Sequence, residues 1–220
     1  MDFINNIETN LAKMRKIAVE RKAAVLGAED QTKGNPFKIL VFTMLSARTK
    51  DATTIRVVNK LFTVANSPEK ISKLNPKKLE KLLYGIGFYR EKTKHLIGTC
   101  RKIERDGKVP DKLEELLELP GVGRKTANIV LARAFDQQTL GVDVHVHRIS
   151  NRLGIAKTKK PEETEHELVM RIPKKYLRSL NRDFVAFGQT VCLPRNPDCK
   201  NCPIEKSCRK IGIGKIKKLR

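Results

Sequence analysis

LEELLELPGVGRKTANIVL, residues 113–131, reads as a helix, a Gly-x-Gly hairpin and a second helix. The glycines permit a tight turn with positive φ and let a ligand come close to the backbone. The turn Leu119-Pro120-Gly121-Val122-Gly123 ends where the new helix begins. A helix start has N–H groups without internal partners and the positive end of the dipole, which makes it a ready phosphate site. LEKLLYGIGFYREKTKHLI, residues 79–97, echoes the same pattern. An ordinary αα-hairpin is the competing reading of both copies, and charge decides between the two.

The 220 residues carry 46 Lys+Arg against 24 Asp+Glu, a formal charge of +22. Such an excess opposes compaction unless something negative binds. Nucleic acid is the first candidate and an anionic membrane surface the second. On this chain residues 113–131 are therefore read as a helix-hairpin-helix element touching the DNA backbone, a contact that gives affinity without sequence preference. No segment pairs strong basicity with bulky aromatics, which weighs against a membrane surface. No run of eighteen apolar residues exists, so no transmembrane helix is expected. The N-terminus has early acidic residues and no apolar stretch, and it reads as neither a secretory signal nor a transit peptide. A hydrophobic fraction of 40% is enough for a core, in one domain or two small ones.

Four of the five cysteines, Cys192, Cys199, Cys202 and Cys208, follow the spacing C-x6-C-x2-C-x5-C. Thiolates this close repel one another unless a cation or cluster neutralises them, so a metal site is the reading. Structural zinc usually uses two separated C-x2-4-C knuckles, and only Cys199 and Cys202 form one. A single loop around a four-iron cluster suits the spacing better, with zinc as the alternative. Cys100 stands apart in a helical stretch and reads as a small buried hydrophobe.

Helical periodicity dominates the rest. Residues 6–25 place Leu11, Met14, Ala18 and Val25 near one face, and PFKILVFTMLSA, residues 36–47, is apolar almost all round, as a core helix would be. Ser67-Pro68 and Asn75-Pro76 look like helix starts. In residues 139–154 the alternation of Leu140, Val142, Val144 and Val146 predicts a strand, while Asp143 before Ile149 and Leu153 predicts an N-capped helix; periodicity leaves both open. The last twenty-one residues hold eight Lys/Arg and one acid, Glu205, either a solvated end or a phosphate contact.

Taken in order, L-P-G-V-G-R-K-T-A-N, then V-D-V-H-V-H-R, then the four-cysteine spacing, the chain resembles the endonuclease III family of base-excision glycosylases from about residue 36 to 208. The resemblance implies an all-α, two-domain helix-hairpin-helix DNA glycosylase fold with a C-terminal four-cysteine iron–sulfur loop. Residues 36–138 would form a central six-helix domain with the hairpin element at about 113–134. Residues 1–35 and 139–220 would form the second helical domain, with a [4Fe-4S] loop at 192–208. The expected partner is double-stranded DNA with a damaged base or abasic site, bound by a cytoplasmic, nucleoid-associated monomer with no membrane contact.

The same resemblance places the catalytic pair on Lys125 and Asp143. A damaged nucleotide must leave the stack to be reached. The Lys125 amine, which must be neutral to act, would then attack C1′ and expel the base, leaving a Schiff base that permits β-elimination. Asp143 is read as proton acceptor and electrostatic support for the cationic sugar. The competing readings are a solvated or phosphate-binding lysine and a plain N-cap. Leu119, Gly121, Val122, Gly123 and Arg124 would contact the backbone. Phe88 aligns with an apolar wedge, and core packing is its alternative. Arg48 stands where well-known members have a glutamine filling the space of the flipped base, a departure that bears on opposite-base preference. His145 and Glu118 resemble pocket-lining residues, with a capping or packing histidine the equal alternative for His145, and Arg148 reads as a phosphate contact or a solvated side chain. The cluster would shape a basic loop bearing Arg195, Lys200, Lys206, Arg209 and Lys210. The competing functions are a monofunctional mismatch glycosylase and a non-catalytic DNA-binding module. Against the first, the adenine-mismatch branch lacks this lysine and carries an extra C-terminal domain, for which twelve residues after Cys208 leave no room.

Overall fold

The computed structural model describes residues 2–214. The end of the basic tail, with Lys215, Lys217, Lys218 and Arg220, lies outside the described residues. Among the described residues the chain is helical and has no strand. The α-helices run α1 Ile7–Glu20, α2 Ala24–Thr32, α3 Pro36–Ser46, α4 Asp51–Val64, α5 Pro68–Ser72, α6 Pro76–Leu82, α7 Tyr89–Asp106, α8 Leu113–Leu117, α9 Arg124–Ala134, α10 Val144–Leu153, α11 Pro161–Arg171 and α12 Lys174–Thr190. They fall into two compact units, Gly27–Gly141 and the pair of segments Met1–Leu26 and Val142–Arg220.

The unit Gly27–Gly141 is built around α3. Asn35 caps this helix by accepting from the Lys38 N–H at 3.0 Å, and Pro36 at the first position needs no donor. Phe37, Ile39, Leu40, Val41, Phe42, Met44 and Leu45 are all buried, which is why the segment is apolar on every side. Each such side chain contributes about 1.5–3 kcal/mol by leaving water. The helices α4, α7 and α9 pack against α3. Cys100 is fully buried in the same core, and burial pushes its thiol up to about 12, so it behaves as an inert apolar residue. Ser67 and Asn75 cap α5 and α6 ahead of their prolines.

In the other unit α1 packs along α12, and α10 packs against both α11 and α12. Leu11, Met14 and Ala18 are buried on α1, and the rings of Phe3 and Phe184 meet edge-on at 6.0 Å. Arg15 donates to the buried Asp183 carboxylate from Nε at 2.9 Å and Nη2 at 2.6 Å. The periodic stretch 6–25 is not one helix: the backbone turns left-handed at Lys22 (φ 52°) and restarts at α2. Residues 139–154 resolve into a turn and a helix. The Asp143 carboxylate accepts from the N–H groups of His145 and Val146, both at 2.9 Å, and α10 follows. Residues 139–141 are tied to α9, since Thr139 Oγ1 donates to the Asn128 carbonyl at 2.9 Å and Asn128 Nδ2 donates to the Leu140 carbonyl at 3.1 Å. The division after Gly141 reflects these bonds, where the sequence suggests residue 138.

Candidate nucleic-acid interface and metal centre

The hairpin between α8 and α9 hangs on two buried side chains, Leu119 and Val122. Thr99 Oγ1 on α7 donates to the Pro120 carbonyl at 2.8 Å and fixes the turn from beneath. Gly121 has φ +76°, and a Cβ there would lie 2.7–2.8 Å from the His95 side chain. Backbone and neighbour therefore both demand glycine. Gly123 differs. It is the N-cap of α9 with φ −96°, and a Cβ there would meet nothing within 4 Å. Nothing inside the protein requires glycine at this point, and open space lies before a helix start without a side-chain cap. Arg124 is exposed and Lys125 half-buried in the first turn of α9.

The first copy of the pattern ends differently. Phe88 precedes α7 in a left-handed conformation (φ 59°) and is 63% exposed, so it is not a core residue. Arg48, also left-handed (φ 55°), stacks its guanidinium 5.3 Å from the Phe88 ring centroid. Gly87 allows this approach, because a Cβ there would sit 2.6 Å from the Arg48 carbonyl oxygen. Arg48 and Phe88 rim an open cavity of about 290 Å³ whose lining also includes Lys92, His95 and Gly121, so both hairpins border it. Lys92 is a residue that sequence reasoning missed. Its Nζ donates to the carbonyls of Leu45 at 2.8 Å and Ala47 at 2.5 Å. Partners on the main chain leave no pattern in a sequence. Burial, and then the charge of Lys125, push the Lys92 ammonium down to about 8.

Asp143 is half-buried as the N-cap of α10. Arg148 turns toward the main chain, donating to the carbonyls of Cys192 at 2.9 Å and Gly188 at 3.3 Å, with His145 Nδ1 at 3.2 Å. One turn on, Arg152 donates to the carbonyls of Leu193 at 2.6 Å and Pro194 at 2.9 Å and to Cys192 Sγ at 3.3 Å. Two arginines of α10 thus brace the cysteine loop, Arg148 where a phosphate contact or a solvated side chain is expected and Arg152 unforeseen. Cys192, Cys199, Cys202 and Cys208 line one cavity together with Ile149, Leu153 and Phe187. Arg195, Lys200, Lys206, Arg209 and Lys210 are exposed around it, Lys210 in an ion pair with Glu205.

Residues 41–174 match the model of the HhH-GPD superfamily of base excision DNA repair proteins. Endonuclease III of Thermotoga maritima is 44% identical over 188 residues, covering 83% of this chain and 88% of that one. Endonuclease III of Escherichia coli K12 is 35% identical over 176 residues, covering 79% of this chain and 83% of that one. A solved structure of a trapped covalent intermediate between endonuclease III and DNA superposes with a TM-score of 0.76 at 31% identity, covering 88% of this chain and 96% of that one. The chain belongs to the endonuclease III family.

For an endonuclease III family member the cysteine loop can be tested on its own chemistry. As free thiols, Cys202 is held up at about 11 and Cys208 is also raised, first by burial, with the charges of neighbouring cysteines adding to it. Four thiolates in this cavity therefore need a cationic group to neutralise them. Among the described residues no three His, Cys, Asp or Glu side chains group closely enough to hold a single metal ion. The four cysteines border one shared cavity, and four thiolates are a donor set that an iron–sulfur cluster can use. Glu118 is exposed and accepts from Lys102 Nζ at 2.6 Å, an ordinary surface pair.

Proposed function

We propose that this endonuclease III family protein is a bifunctional DNA glycosylase and AP lyase that removes oxidised pyrimidines from duplex DNA. The observation that carries the reading is Lys125 in the first turn of α9, directly behind the Gly123 turn that is open to solvent. Phosphates would sit against the turn formed by Leu119, Gly121, Val122, Gly123 and Arg124. Phe88 and Arg48 would fill the gap left by a flipped nucleotide, for which opening the stack costs a few kcal/mol. The Lys125 amine would attack C1′ as the glycosidic bond breaks and the base leaves with a proton. Loss of the C2′ proton from the Schiff base would then break the C3′–O bond and cut the strand. Asp143 would accept the proton and support positive charge on the sugar. His145 would line the pocket, and Arg148 would act through the loop it braces.

Cys192, Cys199, Cys202 and Cys208 would hold a [4Fe-4S] cluster with a structural role. Its effect would be to shape the loop that carries Arg195, Lys200, Lys206 and Arg209 toward the phosphate backbone. Protein purified anaerobically is expected to be brown with about four irons per chain. Stoichiometric zinc without iron would reject the cluster.

The test of the activity is borohydride trapping on a duplex with one thymine glycol. Wild type is expected to form a covalent adduct. Lys125→Ala is expected to lose adduct, base release and strand cleavage while still binding DNA. Cleavage retained by highly purified Lys125→Ala overturns the assignment. Base release without an adduct identifies a monofunctional glycosylase.

A further inference from the structure

The turn that presents Arg48 is held by an unusual device. A helix leaves its last carbonyls without internal partners, and water or a cap normally satisfies them. At the end of α3 they are satisfied by an ammonium from another helix, Lys92 on α7, through the Leu45 and Ala47 carbonyls. The next residue is Arg48 in its left-handed conformation. Its carbonyl lies against the bare Cα of Gly87, and the Gly87 N–H donates to Thr49 Oγ1 at 3.0 Å. Residues 45–49 are therefore moored to the first hairpin at three points, and the outcome is the Arg48 guanidinium stacked on Phe88.

We propose that Lys92 is a positioning residue for reading the base opposite the damage: it moors the turn between α3 and α4 so that Arg48 and Phe88 meet DNA as one stacked unit. The proposal rests on the DNA glycosylase reading above. A guanidinium is planar and donates only. Held in one plane, it favours bases whose acceptors fall where its N–H groups point, and the four bases place their acceptors differently. A loosely held guanidinium would find some acceptor on any base. The contribution of Lys92 should accordingly appear in the ratio of rates between opposite bases.

The proton affinity of Lys92 adds a second handle. The charged and titratable groups around it are Glu91 and His95 on α7, Arg48 on the turn and Lys125 on α9. With its ammonium pushed down to about 8, Lys92 holds its full charge below that pH and loses it above, weakening its grip on the two carbonyls.

The experiment measures single-turnover release of thymine glycol from four duplexes that differ only in the opposite base. Wild type, Lys92→Met and Lys92→Arg are compared from about pH 6.5 to about 9.5. The ratio of the best to the worst opposite base cancels the pH dependence of the chemistry, which all four duplexes share. Wild type is expected to discriminate, and Lys92→Met to lose about threefold or more of that ratio. Lys92→Arg should restore most of it. The wild-type ratio should fall toward the Lys92→Met value as pH passes about 8, while Lys92→Met stays flat. No discrimination by wild type, an unchanged ratio in Lys92→Met, or a loss that Lys92→Arg does not reduce overturns the proposal. If Lys92→Met does not unfold cooperatively, Lys92→Gln takes its place. If wild type releases no base, the glycosylase reading is what fails. The same ratio, measured as affinity for duplexes with a tetrahydrofuran abasic analogue opposite each base, then decides the role of Lys92.

Discussion

Gly121 and Gly123 share one turn and answer to different demands. Gly121 is needed by the protein, through its positive φ and the His95 side chain against its Cα. Gly121→Ala is expected to lower the unfolding free energy by about 1–3 kcal/mol in denaturant titrations. Gly123 has ordinary extended backbone and open space around it. Gly123→Ala should cost under about 1 kcal/mol, the scale of an N-cap change, yet weaken binding to an abasic duplex. The pair thus separates a structural hairpin from one that receives a phosphate: equal DNA affinity in Gly123→Ala and wild type would return the turn to the structural reading. In the sequence the two glycines look alike. They differ because Gly121 turns left-handed with His95, on α7, packed against it, while Gly123 is extended with open space around it.

At the level of elements, α10 shows what periodicity cannot settle. Alternating valines and a helical spacing of Val146, Ile149 and Leu153 coexist in residues 139–154. The Asp143 cap, with two N–H groups bonded to one carboxylate oxygen, accompanies the helical outcome. It also raises the plainest objection to a catalytic Asp143, namely that capping is its whole purpose. Asp143→Asn answers this, because asparagine caps as well as aspartate but carries no charge. Asp143→Asn is expected to melt like wild type and to lose about 10²-fold or more in single-turnover rate. Asp143→Ala should lose the rate and about 1 kcal/mol of stability besides. Full activity in a stable Asp143→Asn would leave Asp143 a cap only. The two hairpin copies teach the same lesson from the other side. Their sequences match, yet one ends in an exposed aromatic on a left-handed residue and the other in bare backbone before α9.

For the whole molecule, the charge of +22 is the property that every reading of function has to use. If six or more phosphates are neutralised, affinity for duplex DNA should fall about 10³-fold or more between 50 and 200 mM salt, and a flat response would count against a basic binding face. That charge, the Gly-x-Gly hairpin, the four-cysteine spacing and the all-round apolar α3 were legible in the sequence, because each is a local property of composition or spacing. The same holds for the Ser67 and Asn75 caps, whose bonds close within a few residues. The break at Lys22, the stacking of Arg48 on Phe88, the inward turn of Arg148 and Arg152 and the mooring by Lys92 were not legible. The break is set by how the chain packs, and the other contacts join groups far apart in the chain, most of them through backbone carbonyls. Side-chain identity carries no record of which carbonyl will stand in front of it. The sequence by itself determined the chemistry available to this protein. Tertiary packing decided which of those groups are held in place, because satisfying buried main-chain groups and avoiding side-chain overlap are conditions on the folded chain as a whole.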